Sequence, residues 1–150
     1  MAVPVSPVAG PADEDVPVEL AFPLPQTNAD MLTYGVAAFT ALFGLVSLFA
    51  PVTMLRALRL APHAAHPEAV SEARSTIGGF YLGIGLMVLM FFEQWTMPLL
   101  LGMAWSFAAF GRLVSILSDK GSTFYNLAFL LLDLILAGLP LAAAFGLVQS

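Results

Sequence analysis

Four stretches of this sequence are long enough to cross a bilayer as helices, and none of them carries more than one charge. A hydrocarbon core about 30 Å thick needs about 20 apolar residues at roughly 1.5 Å each. Residues 31–50, MLTYGVAAFTALFGLVSLFA, are uncharged and closed by Pro51. Residues 73–92, ARSTIGGFYLGIGLMVLMFF, hold only Arg74, and residues 96–117, TMPLLLGMAWSFAAFGRLVSIL, hold only Arg112. Residues 122–148 hold only Asp133, with Pro140 marking an expected kink. Lipid offers no hydrogen bonds, so each stretch must be helical to satisfy its own backbone. Composition points the same way: 10% of residues are charged and 59% hydrophobic, against roughly 25% charged in soluble domains.

The expected fold is an all-α membrane protein, an antiparallel four-transmembrane-helix bundle over residues 31–150. The links between the second, third and fourth stretches are only a few residues, which forces antiparallel neighbours. SDKG, residues 118–121, reads as a tight polar turn. The first link is longer, and residues 52–60 suit a short interfacial helix with Arg56 and Arg59 at the headgroups. Residues 1–30 form a separate tail with six prolines and five acids. It lacks the basic start and apolar run of a signal peptide and is expected to be disordered or extended. Its VPVELAFPLP segment is a candidate for lying along a partner or along the bundle.

The five positive charges set an orientation. Arg56, Arg59 and Arg74 flank the first link, and Arg112 and Lys120 flank the third. All five fall on one side, which the positive-inside rule makes cytoplasmic, with both termini on the periplasmic side. Trp95, in the outer turn with Glu93 and Gln94, reads as an interface anchor.

The run LLLDLIL places Asp133 among leucines. With the fourth helix starting at Ser122, its carboxylate lies about 16 Å deep. Arg112 on the neighbouring helix lies about 9 Å deep from the same side. A lone charge at that depth costs at least about 2.5–3.5 kcal/mol, so pairing or protonation must offset it. Arg112 is the first candidate partner and Arg74 the second. Helical spacing groups Arg74 with Tyr81, Arg112 with Ser115, and Asn126 with Asp133. The expected interior cluster is therefore Arg74, Tyr81, Arg112, Ser115, Asn126 and Asp133. Two arginines facing one acid would leave surplus positive charge for an anionic headgroup. The same residues would also serve as a purely structural polar lock.

Small residues mark candidate helix contacts: Gly79 and Gly83 with Ser75 one turn earlier, and Gly102 with Ser106. GGFYLGIG follows no strand and does not match a dinucleotide fingerprint, so no cofactor is expected. With no cysteines, thiolate metal sites and disulfides are excluded. His63 and His66 stand between Pro62 and Pro67 with Glu68 nearby, and read as a solvated loop rather than a metal site. No nucleophile–base arrangement is recoverable, and no basic face suits nucleic acid.

These elements together resemble a family of small bacterial four-helix membrane proteins catalogued only as a domain of unknown function. The shared features are Arg74 before Gly78 and Gly79, the spaced Gly83 and Gly85, Gly111–Arg112 with Ser115, and the acid at Asp133. The resemblance runs from about Met31 to the C-terminus and leaves the tail outside. The family's acid is more often glutamate, so Asp133 is a mild departure. The resemblance implies a four-helix bundle in the bacterial inner membrane and no assigned biochemistry. The leading expectation is a non-enzymatic accessory or scaffold subunit, associating with another membrane protein or with copies of itself. The alternative is a binder or carrier of an anionic lipid or amphiphile, with proton coupling as a variant.

Overall fold

The computed structural model describes residues 24–60, 68–119 and 121–148. The tail segment up to Pro23, the His63/His66 loop and Lys120 lie outside the described residues, together with the expectations made for them. The described chain is all-helical: α1 Asn28–Phe49, α2 Pro51–Ala57, α3 Glu68–Phe91, α4 Thr96–Ser118 and α5 Phe124–Ala144. Four of these, α1, α3, α4 and α5, are long and apolar enough to cross a membrane. The membrane-embedded helical bundle expected from the sequence is thus the observed class.

Local chemistry sets the helix ends. Thr27 and Asp30 form a capping box: Asp30 N donates to Thr27 Oγ1 at 3.0 Å, and Thr27 N donates to Asp30 Oδ2 at 3.1 Å. That cap starts α1 three residues before the apolar run begins. Pro51 then opens α2, where a first-turn proline loses no helical hydrogen bond. Two residues past the end of α2, Arg59 has a φ of 57°, the left-handed conformation usually left to glycine after a helix. Thr123 caps α5 by accepting from Asn126 N at 3.2 Å.

α3 departs from the expected regular helix over 73–92. It begins at Glu68, and Ala73–Gly79 is π-helical. A π turn bonds i to i+5 and so rotates the downstream residues relative to a 3.6-residue pattern. Faces assigned across it by ordinary helical spacing are therefore displaced. Gly79 and Gly83, expected to pack against a neighbour, lie on open surface. Gly78 and Gly85 make the contact instead.

That contact is against α1 and is very close. A methyl added to Gly85 would sit 2.4 Å from Ala41 N, and one on Gly78 would sit 2.8 Å from Leu48 N. From the other side, a methyl on Gly44 would meet Leu82 N at 2.2 Å. Between α4 and α5, Gly102 receives Leu141, as expected for a packing glycine. Ser106 turns its hydroxyl back onto Gly102 O at 2.8 Å.

α1 is the most buried span and touches α3, α4 and α5. Its inner face carries Thr33, Thr40 and Ser47, seven residues apart and all buried. Each hydroxyl donates to the carbonyl four residues back, so none is left unsatisfied. The core joins Val36 and Ala37 to Val88, Phe92, Leu101, Trp105, Leu136 and Ala137. Large apolar side chains such as Phe107, Phe110 and Leu131 face outward, as lipid contact requires. α4 packs along α5, whereas α3 and α4 meet only sparsely.

Replacement of Gly85 by alanine is expected to cost about 1–3 kcal/mol, because backbone must move to admit the methyl. Gly83→Ala, on open surface, should lie within about 0.5 kcal/mol of the parent. Thermal loss of the monodisperse species in mild detergent separates them, and equal effects would contradict the packing described.

Candidate functional site

Asp133 sits nine residues beyond the first residue of α5, about 14 Å along the helix. It is buried, at 2% exposure. Arg112 Nε donates to its Oδ2 at 2.7 Å, forming an ion pair between α4 and α5. Arg112 starts about 9 Å from Ser118, and its guanidinium runs from Asp133 back towards the start of α5.

Two further groups hold the guanidinium there. Nη1 donates to Asn126 Oδ1 at 3.2 Å, and the Phe129 ring lies 5.1 Å from Cζ. Asn126 in turn donates from Nδ2 to Gly121 O at 3.0 Å. Both ends of that carboxamide are used, which fixes its orientation. A methyl on Gly121 would sit 3.1 Å from Asn126 Nδ2 and 2.9 Å from Ser115 O, so the α4–α5 turn needs its glycine for close approach. Asn126, Phe129 and Asp133 recur three to four residues apart and share one face of α5, along which Arg112 lies.

The structure thus brings together Arg112, Asn126 and Asp133 of the expected cluster. Tyr81 borders the same cavity as Arg112 and Asp133. Its ring meets Phe43 and Trp105 edge-on at 5.1 and 5.6 Å, and its hydroxyl has no hydrogen-bond partner among the described residues. Ser115 stands beside the turn, its carbonyl accepting from Asp119 N and Gly121 N at 3.0 and 3.2 Å. Its side chain has no hydrogen bond to the ion pair among the described residues.

Arg74 is not part of the cluster. It is exposed, and Nη1 donates to Leu48 O at 3.0 Å, one of the last carbonyls of α1. A cation at that end satisfies an orphan carbonyl and complements the helix dipole. The π-helical segment in which it lies breaks the spacing that had aligned it with Tyr81. The expected surplus of positive charge is therefore absent: one arginine faces one aspartate.

The pair forms one wall of an inner cavity of about 270 Å³, otherwise lined by groups such as Phe43, Met54, Leu58, Tyr81 and Trp105. A second cavity of about 310 Å³ occupies the crevice between α3 and α4, bordered by Phe80, Ile84, Leu101 and Ala104. Tyr81, Trp105 and Ala108 belong to the walls of both. Trp105 is held there by Nε1 donating to Thr40 Oγ1 at 3.0 Å, while Thr40 donates onward to Val36 O at 2.7 Å. α2 lies over the inner cavity with Met54, Ala57 and Leu58. Tyr125 of α5 ties it down: its hydroxyl donates to Ala57 O, and Arg59 covers its ring at 4.3 Å.

Two of these features escaped the sequence reading. The seven-residue spacing of Thr33, Thr40 and Ser47, which went unread, was the available signal for a polar seam on α1, but its tie to Trp105 spans 65 positions. α2 was expected as an interfacial helix, and only its packing makes it a cover. Among the described residues, no three histidine or acidic groups are placed to hold a metal ion.

The sequence model of a family described as a domain of unknown function, DUF4345, matches residues 29–144. The chain belongs to the DUF4345 family. The DUF4345 region includes all four spans, the ion pair and both cavities. No curated protein and no solved structure compared with the chain matches it.

Removing Arg112 leaves a buried carboxylate without its cation, for which about 3–5 kcal/mol is typical. Arg112 is itself 28% exposed at the side chain, so Arg112→Ala is expected near the lower end. Arg112→Met combined with Asp133→Leu should recover most of that loss, since a well-packed apolar pair replaces a desolvated one. Thermal midpoints in one detergent for the parent, single and double variants test this; additive losses would refute the coupling.

Proposed function

We propose that this DUF4345 protein binds a single-chain amphiphile within the membrane rather than catalysing a reaction. The observation that carries this reading is the pair of apolar-walled cavities sharing Tyr81, Trp105 and Ala108, one open between α3 and α4 and the other ending at Arg112 and Asp133. Their volumes are near the lower end of small-molecule sites, about 300–1,000 Å³. The crevice lies where two neighbouring spans pack least, so a hydrocarbon chain enters sideways from the bilayer. The head then meets the only charged wall that the described residues give the inner cavity. Arg112 uses two of its five N–H donors on Asp133 and Asn126, leaving others for a ligand.

The setting we propose is a bacterial inner membrane. Arg56, Arg59, Arg74 and Arg112 lie at one end of the bundle, as the Arg74–Leu48 and Arg59–Tyr125 contacts require. By the positive-inside rule that end is cytoplasmic and both termini are periplasmic.

A second reading, an accessory subunit of a larger membrane complex or of a homo-oligomer, is favoured by one observation. Gly79 and Gly83, one turn apart at the end of the π-helical segment, are both exposed, and Gly83 has nothing within 4 Å of an added methyl. An open ridge of small residues permits close approach of another helix.

Trp105 is a built-in reporter for the binding reading, because it is 6% exposed and borders both cavities, whereas Trp95 is 70% exposed. In a Trp95→Phe background, a single-chain amphiphile brominated on its tail should quench Trp105 saturably. Ala108→Leu, which fills the shared wall, should weaken that quenching at least about tenfold in concentration. Quenching that never saturates and is indifferent to Ala108→Leu would refute the reading.

A further inference from the structure

We infer that the head of the bound amphiphile is an uncharged hydroxyl, so that the ligand class is a long-chain alcohol; this rests on the amphiphile-binding reading above. The inner cavity presents one cation and one anion in direct contact, Arg112 and Asp133, with no second arginine within the cluster. The wall is charge-neutral as a unit. Bringing an anionic head beside it would leave one uncompensated negative charge in a desolvated setting, and a cationic head would leave one positive charge. Either costs at least about tenfold in affinity where charge is buried in a membrane interior.

The polar groups left open define the rest of the head. Arg112 has N–H donors beyond those given to Asp133 and Asn126. Asp133 accepts from Arg112 through Oδ2, and its Oδ1 receives no hydrogen bond from the described residues. The hydroxyl of Tyr81, which lines the same cavity, has no hydrogen-bond partner among them either. A ligand matching this wall must both accept, from Arg112, and donate, to Asp133. A hydroxyl does both with one atom. A ketone or quinone head only accepts, and leaves the carboxylate oxygen unanswered; an ester has the same defect. The crevice beyond has apolar walls for the tail, which reaches it by parting the edge-on contact of Tyr81 with Trp105.

The test is displacement of the brominated reporter from Trp105 in the Trp95→Phe protein, held in a non-ionic detergent. The competitors are a long-chain primary alcohol, the carboxylic acid of equal chain length at a pH where it is ionised, the alkylammonium, and the methyl ketone. The alcohol should displace the reporter at concentrations at least about tenfold below each of the others. Asp133→Asn keeps an acceptor for Arg112 but leaves the wall with one net positive charge, and there the carboxylate should overtake the alcohol. Tyr81→Phe, which removes only the free hydroxyl, should weaken the alcohol severalfold.

A carboxylate that outcompetes the alcohol in the parent protein would overturn the inference while leaving the binding reading intact. So would an order of competitors unchanged by Asp133→Asn. Should Asp133→Asn fail to yield a monodisperse protein, the parent order and Tyr81→Phe decide the matter. Absence of saturable reporter quenching in the parent would instead remove the reading on which the inference rests.

Discussion

α1 and α3 approach so closely that Gly44, Gly78 and Gly85 cannot carry even a methyl without displacing backbone. In a bilayer that closeness does the work a hydrophobic core does in water. Lipid tails solvate leucine as well as another helix does, so spans associate through dispersion at short range and through a few polar contacts. α1 supplies the seam. It is the most buried span, and its inner face is built from small and hydroxyl side chains rather than large apolar ones. Once α3 is drawn onto α1, and α4 onto α5 through Gly102, α3 and α4 are left in sparse contact. The crevice between them follows from where the glycines are.

The charged pair is positioned by the same hairpin. Gly121 lets the α4–α5 turn fold tightly enough for Asn126 to reach its carbonyl, and Asn126 then orients Arg112 toward Asp133. The pair is therefore held by a chain of contacts from the turn inward, with Phe129 beneath the guanidinium. A buried ion pair adds little net stability, since desolvation offsets most of the attraction. Its consequence is chemical: a neutral yet strongly polar wall inside an otherwise apolar cavity.

How far the sequence could be read depended on whether spacing alone was sufficient. The α4–α5 face held because both helices are regular and joined by a few residues, so Arg112, Asn126 and Asp133 could be aligned by counting. Counting failed in α3. The π-helical turn from Ala73 to Gly79 shifts the faces on either side of it, so Arg74 points to Leu48 O, and the packing role falls to Gly78 and Gly85. Nothing in ARSTIGG announces a π turn by periodicity, because its energetic justification lies in contacts with α1. The start of α1 was missed: Asn28–Asp30 were read as tail, although Thr27 and Asp30 form a capping box three positions before the hydropathy rises.

Hydropathy and length by themselves determined that this chain crosses a membrane with four helices, because a backbone in hydrocarbon has no other way to satisfy its polar groups. Local spacing determined which acid needed an answering cation. Tertiary structure alone decided that Arg74 stays out of the cluster, which glycines touch, and that Tyr81, Trp105 and α2 enclose a cavity. Those outcomes depend on the relative rotation and separation of helices. Rotation and separation are set by contacts between residues far apart in the chain, such as Trp105 with Thr40 and Gly44 with Leu82, which no local pattern encodes.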